Sequence, residues 1–164
     1  MELYFLRHGI AVLRGTKGYE NDSDRPLTPK GRKRMRQIAA AMRVLEIEID
    51  LILSSPILRA RQTTDIVSKS VGREVKFSEA VADGDPERII DEINTTYHRA
   101  KSIMIVGHEP DLSSMISLLI SGGTGCHVTM KKGGLCKLSI SSLQAGQCAV
   151  LEWLLTPGQL AQIQ

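Results

Sequence analysis

The chain has 164 residues, of which 42% are hydrophobic and 24% charged, with a net charge of +3. That length carries one domain with a substantial core, and the balance excludes a disordered or fibrous chain. No apolar stretch approaches the ~20 residues a membrane span needs, and Met1-Glu2 runs into a strand with no secretory leader pattern.

Leu3-Tyr4-Phe5-Leu6 predicts a buried strand over residues 2–7, which ends on Arg7-His8-Gly9. Residues 9–27 form a loop that is long for a compact domain, and such loops are often functional. Thr28-Pro29 starts a helix, with a hydroxyl cap and a proline at the first helical position. It runs to about Leu45, with Met35, Ile38, Ala39, Met42 and Leu45 at helical spacing. Leu51–Ser54 is a second strand, and Ser55-Pro56 restarts helix until Gly72 stops it. Val75–Phe77 is a short third strand. Asp85-Pro86 opens a helix that turns Ile89, Ile90 and Ile93 inward. Ile103–Val106 is the most strand-like run, and Gly107-His108-Glu109-Pro110 leads from it into a helix through Ile120. Leu135–Ile140 and Ala149–Leu155 alternate enough to be two late strands, joined as a hairpin. The alternation of strands and helices predicts an α/β three-layer sandwich over residues 1–164, a single domain. Its sheet is mostly parallel with helices on both faces, and the antiparallel C-terminal hairpin lies at an edge.

Three predicted strands end on groups that can address phosphate. The first delivers Arg7 and His8, the second Ser54, Ser55 and, a turn later, Arg59, and the fourth Gly107 and His108. Parallel strands have their C-terminal ends on one edge, so these groups can converge in one crevice. Each motif is weak alone, and the argument rests on their convergence. Phosphoryl transfer needs a positioned nucleophile and cations around the equatorial oxygens. Neutral His8 can attack phosphorus through one ring nitrogen while the other holds the tautomer. Arg7 and Arg59 can grip phosphate oxygens, and a protonated His108 adds a further cationic donor. Gly9 removes a Cβ where a ligand would approach the backbone. This chemistry requires no metal and no cofactor, and no CxxC pair or His–Cys cluster with ligand spacing is present.

Cys126, Cys136 and Cys148 are odd in number and widely spaced, which favours reduced thiols and a cytoplasmic protein. Lys30, Arg32, Lys33, Arg34 and Arg36 cluster on the first helix. With no interleaved aromatic residues they read as a solvated face that helps draw in an anionic substrate, and no nucleic-acid partner is expected.

Leu6-Arg7-His8-Gly9 resembles the signature of the histidine phosphatase superfamily, which includes the cofactor-dependent phosphoglycerate mutases. Ser54-Ser55-Pro56-Ile57-Leu58-Arg59-Ala60-Arg61-Gln62-Thr63 is similar to its second motif, and Val106-Gly107-His108-Glu109-Pro110 to its third. Within the superfamily the chain is most similar to the short SixA-type phosphohistidine phosphatases, because Arg25-Pro26-Leu27-Thr28-Pro29-Lys30-Gly31 resembles their first-loop motif. The resemblance implies His8 as nucleophile, with Arg7, Arg59 and His108 completing the phosphate pocket. It implies Arg25 as a further phosphate or substrate contact, and an ion pair of Arg25 with Asp22 or Asp24 is an equal reading.

Larger members use a carboxylic acid from the region after the second motif to protonate an alkoxide. Here Glu79, Asp83, Asp85 and Glu109 are the acids at hand, and none sits in a matching motif; Asp85 reads as a helix cap and Glu109 as a charge suited to a helix N-terminus. A weak acid favours P–N cleavage, because imidazole leaves more easily than an alkoxide. The expected function is therefore a metal-independent phosphohistidine phosphatase. It would act through a phospho-His8 intermediate on a phosphohistidine-bearing protein such as a histidine phosphotransfer domain. The alternatives are a phosphomonoesterase on a small metabolite and a non-catalytic module that binds phosphoproteins.

Overall fold

The computed structural model describes residues 1–163. In chain order the elements are β1 (Glu2–Arg7), α1 (Pro29–Val44), β2 (Leu51–Ser54), α2 (Leu58–Val71), β3 (Glu74–Phe77), α3 (Glu79–Asp83), α4 (Pro86–Thr96), β4 (Ser102–Gly107), α5 (Asp111–Ser121), β5 (Leu135–Ile140), β6 (Ala149–Leu155) and α6 (Pro157–Leu160). The strands form one sheet in the order β3-β2-β4-β1-β5-β6. The pairs β2/β3, β2/β4 and β1/β4 are parallel, whereas β5 runs antiparallel to both β1 and β6. This is the expected three-layer architecture with an antiparallel C-terminal edge.

Strands buried on both faces read as continuous apolar runs, and β1, β2 and β4 do so. Alternate residues feed two cores. Leu3, Phe5, Leu53, Ile103 and Ile105 pack with Ile89, Ile90 and Ile93 of α4 and with Leu112, Met115, Ile116 and Leu119 of α5. On the other face Tyr4, Leu6, Ile52, Met104 and Val106 pack with Met35, Ile38, Ala39 and Met42 of α1 and with Ala60 and Val67 of α2. The chain therefore leaves β1 over one face and leaves the adjacent β4 over the other. The C-terminal ends of β1 and β4 flank the point where the winding reverses, which is where open α/β sheets form their ligand crevice.

Several boundaries differ from the sequence reading. Helix α2 begins at Leu58, two residues after Pro56, and Ile57 at its N-cap makes no side-chain cap bond. The Ser55 hydroxyl, expected as that cap, instead accepts the Ile57 amide at 3.3 Å and bonds His108 at 2.8 Å. Pro110 sits at the N-cap of α5, which begins at Asp111. Helix α3, unforeseen, starts at a Ser78 cap, and α6 closes with a capping box between Thr156 and Gln159. Thr28, Asp85 and Gly72 act as the sequence predicts: Thr28 and Asp85 accept first-turn amides, and Gly72 ends α2 in the left-handed conformation.

Candidate active site

The strand ends that carry the three motifs are neighbours in the sheet. In the parallel ladders Leu6 and Ser54 both lie opposite Val106. Each ladder continues one residue further: the His8 amide donates to Gly107 O at 3.1 Å and the Ser55 amide to Val106 O at 2.9 Å. The last two residues of β4 thus fix the backbone of both flanking motifs.

Arg7, His8, Arg25, Arg59 and His108 line one cavity of about 340 Å³, together with Leu13, Arg14, Glu109 and Lys132. The His8 and His108 rings lie 5.2 Å apart between centroids. His8 Nδ1 bonds Gly9 O at 2.7 Å. A carbonyl only accepts, so Nδ1 carries the ring hydrogen and Nε2 keeps a lone pair. Arg59 Nε donates to that lone pair at 3.2 Å. Burial pushes the His8 pKa down to about 3, against the pull of the Gly9 bond and with help from His108 and Arg59, so the imidazole is neutral near pH 7.

His108 Nε2 lies 2.8 Å from Ser55 Oγ, which also accepts the Ile57 amide. With that amide received, the hydroxyl has its own proton to give to Nε2. In the tautomer that receives this proton, neutral His108 carries its ring hydrogen on Nδ1, a buried atom with no partner. Burial first, then Arg59, lowers its pKa to about 4. The ring is thus neutral near pH 7, and an arriving dianion would favour the imidazolium.

The cations divide into two sets. Asp22 serves three arginines: Arg14 Nε and Arg25 Nη2 each approach its Oδ1 at 2.8 Å, and Arg59 Nη2 approaches Oδ2 at 3.0 Å. Arg59 Nη1 also donates to the Asp22 carbonyl at 2.8 Å. Of the two readings the sequence left open for Arg25, the structure shows the ion pair with Asp22, and the residue also lines the cavity. Arg7 has no carboxylate within ion-pair range among the described residues; its Nη1 donates to Met130 O at 2.7 Å and its buried Nε has no partner.

Other sequence expectations need correction. A Cβ on Gly9 would lie 2.7 Å from Met35 Cγ, so this glycine makes room for α1 and not for a ligand. Ser54 does not line the cavity; it is fully buried and bonds Ser55 O at 3.0 Å and Thr64 Oγ1 at 2.8 Å. Of the four acids, Asp83 pairs with Arg88 at 2.6 Å, Asp85 caps α4, and Glu79 lies in a separate hollow beside Ser78 and Glu92. Only Glu109 reaches the cavity, with Oε2 accepting the Ser113 hydroxyl at 2.6 Å and Oε1 buried without a partner.

Sequence reasoning missed Asp22 as an organiser, Thr63 and Lys132. Thr63 Oγ1 accepts the Gly9 amide at 3.0 Å and donates to Arg59 O at 2.8 Å, joining the first motif to the second. Its place one helical turn after Arg59 was the signal that could have found it. Lys132 gave none, because nothing in its spacing ties it to β1. A larger hollow of about 1000 Å³, lined by Tyr4, Arg43, Arg73 and Trp153 among others, contains none of these residues.

A profile of the histidine phosphatase superfamily (branch 1) matches residues 3–88, just over half the chain and inclusive of His8 and Arg59. The chain belongs to the histidine phosphatase superfamily. The chain is 36% identical, over 82% of its length and 82% of the relative's, to an uncharacterized protein of Picosynechococcus sp.. The structure of the protein histidine phosphatase SixA complexed with tungstate matches it with a TM-score of 0.79 and 26% identity, over 98% of this chain and 99% of that one. The α-ribazole phosphatase from Shigella flexneri shares the fold, with a TM-score of 0.68 and 18% identity over 90% of this chain and 96% of that one. The family and the fold together support a phosphatase with a histidine nucleophile. Among the described residues no three His, Cys, Asp or Glu side chains are grouped to hold a metal ion, and no helix is long and apolar enough to cross a membrane.

Proposed function

We propose that residues 1–164 form one histidine phosphatase domain that hydrolyses phosphohistidine on a protein, with His8 as nucleophile and Arg7, Arg59, His108 and Arg25 as its phosphate-binding partners. The observation that carries the reading is the His8 ring, held by Gly9 O so that Nε2 faces Arg59 within a cavity ringed by cations.

When the phosphoryl group enters, Arg59 Nε transfers its hydrogen bond from His8 Nε2 to a phosphoryl oxygen and frees the lone pair. Nε2 attacks phosphorus in line, and the bond to the leaving nitrogen breaks. Its electron pair stays on the substrate imidazole, which departs neutral if its distal nitrogen was protonated beforehand. Arg7 Nε and His108 Nδ1, buried donors without partners, are free to meet the charge on the equatorial oxygens. Water then attacks phospho-His8, giving inorganic phosphate and restoring the neutral ring.

Two features support a protein-borne substrate. Leu13 is 73% exposed at the cavity rim, an apolar contact that a small phosphate ester would not use. SixA, whose fold matches nearly the whole chain, is a protein histidine phosphatase. The decisive experiment presents the enzyme with a phosphohistidine-bearing domain and follows phosphate release for wild type and His8→Ala. Release should vanish in the variant, and equal rates would exclude His8 as nucleophile.

One observation favours a second reading, a phosphomonoesterase on a small metabolite. Glu109 lines the cavity and is a carboxyl group within the site, which an alkoxide leaving group would need. Against it, the Ser113 hydroxyl already engages Glu109 Oε2 at 2.6 Å.

A further inference from the structure

We infer that Lys132 is a specificity-determining residue that receives a carboxylate of the substrate beside the phosphoryl group, so that the preferred protein substrate carries acidic side chains next to its phosphorylated residue. The inference rests on the function proposed above and concerns which substrate that site selects.

Lys132 lines the same cavity as His8. Its backbone is tied to the nucleophile's own strand. The Gly133 amide donates to Arg7 O at 3.0 Å, and the Arg7 amide donates to Gly134 O at 3.1 Å. Gly133 has φ +83°, and a Cβ there would lie 2.8 Å from Ile38 Cδ1, so the turn that presents Lys132 needs this glycine. These bonds join the turn to the end of β1 and set the backbone of Lys132 relative to the phosphate cradle.

The charge around it is uncompensated. Arg14, Arg25 and Arg59 already share Asp22. Among the described residues no carboxylate lies within ion-pair range of Lys132 or Arg7, and the cavity wall holds five cationic side chains against Glu109 alone. Burial, followed by Arg7, Arg25 and Arg59, lowers the Lys132 pKa, the direction expected of an ammonium among like charges. An anion entering beside Lys132 relieves that repulsion.

Size separates this anion from the phosphoryl group. At ~30 Å³ per water the cavity of about 340 Å³ has the volume of roughly ten waters, more than one phosphoryl group fills. Arg7, Arg59 and His108 supply directional donors for the phosphoryl oxygens. A lysine is a compact point charge on a flexible stem, suited to a single carboxylate that arrives with some freedom. Arg14, its side chain 81% exposed, and Leu13 extend the rim outward, where the flanking residues of a protein substrate would lie.

The test uses two peptides with the same phosphohistidine, flanked by Glu in one and by Gln in the other, with wild type, Lys132→Ala and Lys132→Arg. Each peptide is also made with O-phosphoserine and used to inhibit p-nitrophenyl phosphate hydrolysis. Wild type should show about tenfold higher kcat/KM on the Glu-flanked peptide, mostly through KM, as expected of one partly desolvated charge pair. Lys132→Ala should bring the ratio near one, and Lys132→Arg should restore most of it. The loss on p-nitrophenyl phosphate should be several-fold smaller than on the Glu-flanked peptide. A preference that survives in Lys132→Ala overturns the inference, and so does an equal loss on all substrates, which would make Lys132 part of the phosphoryl cradle. If wild type cleaves neither phosphohistidine peptide, the proposed reaction fails. A Lys132-dependent preference in the inhibition constants of the phosphoserine peptides would still uphold the carboxylate site, and its absence would remove that too.

Discussion

Replacing Thr63 with valine tests how the first two motifs hold each other. The side chain is fully buried, and the change keeps its shape while removing one hydroxyl. That hydroxyl accepts the Gly9 amide at 3.0 Å, and Gly9 O in turn holds His8 Nδ1 at 2.7 Å. In Thr63→Val the Gly9 N–H is left buried and unpaired, which costs ~1–3 kcal/mol. For a chain of this size that corresponds to a fall in Tm of ~2–12 °C. The same loss frees the peptide that fixes the His8 tautomer. Each ~1.4 kcal/mol of transition-state stabilisation lost is tenfold in rate, so kcat should drop about tenfold with a smaller change in KM. Thermal unfolding and phosphate release from a phosphohistidine peptide read the two effects separately. Thr63→Ser keeps the hydroxyl and should recover most of both. A Thr63→Val protein that melts within about 1 °C of wild type and keeps its kcat would refute the proposed coupling.

Asp22→Asn removes the charge shared by Arg14, Arg25 and Arg59 and should lower kcat/KM ~10-fold or more, measured with phosphohistidine peptide. Burial would raise the Asp22 pKa, but hydrogen bonds from Arg14 and Arg25 outweigh it and hold the group down to about 2. Its contribution to stability is thus full above the ordinary ~3.9 and lost as pH falls toward about 2, and acid unfolding of Asp22→Asn should lack that component. The buried histidines act at higher pH. Both stay neutral in the fold while unfolded histidine protonates near 6.5, so stability should decline below ~6.5 by up to ~1.4 kcal/mol per pH unit for each, ending near about 4 for His108 and about 3 for His8. Urea unfolding across that range should show a shallower slope in His108→Asn, and an unchanged slope would contradict the neutral assignment. Glu109→Gln should cut hydrolysis of an alkyl phosphate ~10²-fold if the second reading holds, and spare phosphoramidate cleavage if the first does. Asp83→Asn, at an acid committed to Arg88 outside the cavity, should stay within about twofold of wild type.

The sheet was legible because its strands announce themselves. Leu51–Ser54 has the boundaries the sequence gives it because both-face burial makes it one apolar run, and Leu135–Ile140 has them through alternation, with partly exposed Lys137 and Ser139 set between buried Cys136, Leu138 and Ile140. The convergence of Arg7, His8, Arg59 and His108 was legible for a topological reason: parallel neighbours share an edge, so residues far apart in sequence meet there. Side-chain commitments were not legible. Ser55 before Pro56 has the form of a helix cap, but His108 lies close enough to take its hydroxyl, and tertiary contact overrides local propensity. Gly9 resembles a ligand glycine until Met35, twenty-six residues on, is found packed against it. Asp22 sits in a loop with no periodicity; the sequence offers its pair with Arg25, and only the fold reveals that Arg14 of the same loop and Arg59 of α2 close on it as well.

The resting hydrogen bond from Arg59 Nε to His8 Nε2 joins these points into one account of how the site avoids working against itself. Buried among cations, the His8 imidazole resists protonation, because the surrounding charge and the lack of water both disfavour a second proton. The same cations repel one another, and Asp22 relieves that repulsion where they are densest, on Arg14, Arg25 and Arg59. Neutralising the whole ring would abolish its attraction for phosphate. Asp22 is confined to the loop side, and Arg7 and Lys132, on the β1 and β5 side, keep their charge for the incoming anion. Arg59 stands between the two sets, bound to Asp22 through both terminal nitrogens and to His8 through Nε. In the proposed reaction phosphate binding therefore exchanges one acceptor of Arg59 for another while its anchor to Asp22 stays in place, which keeps the reorganisation needed at the moment of reaction small.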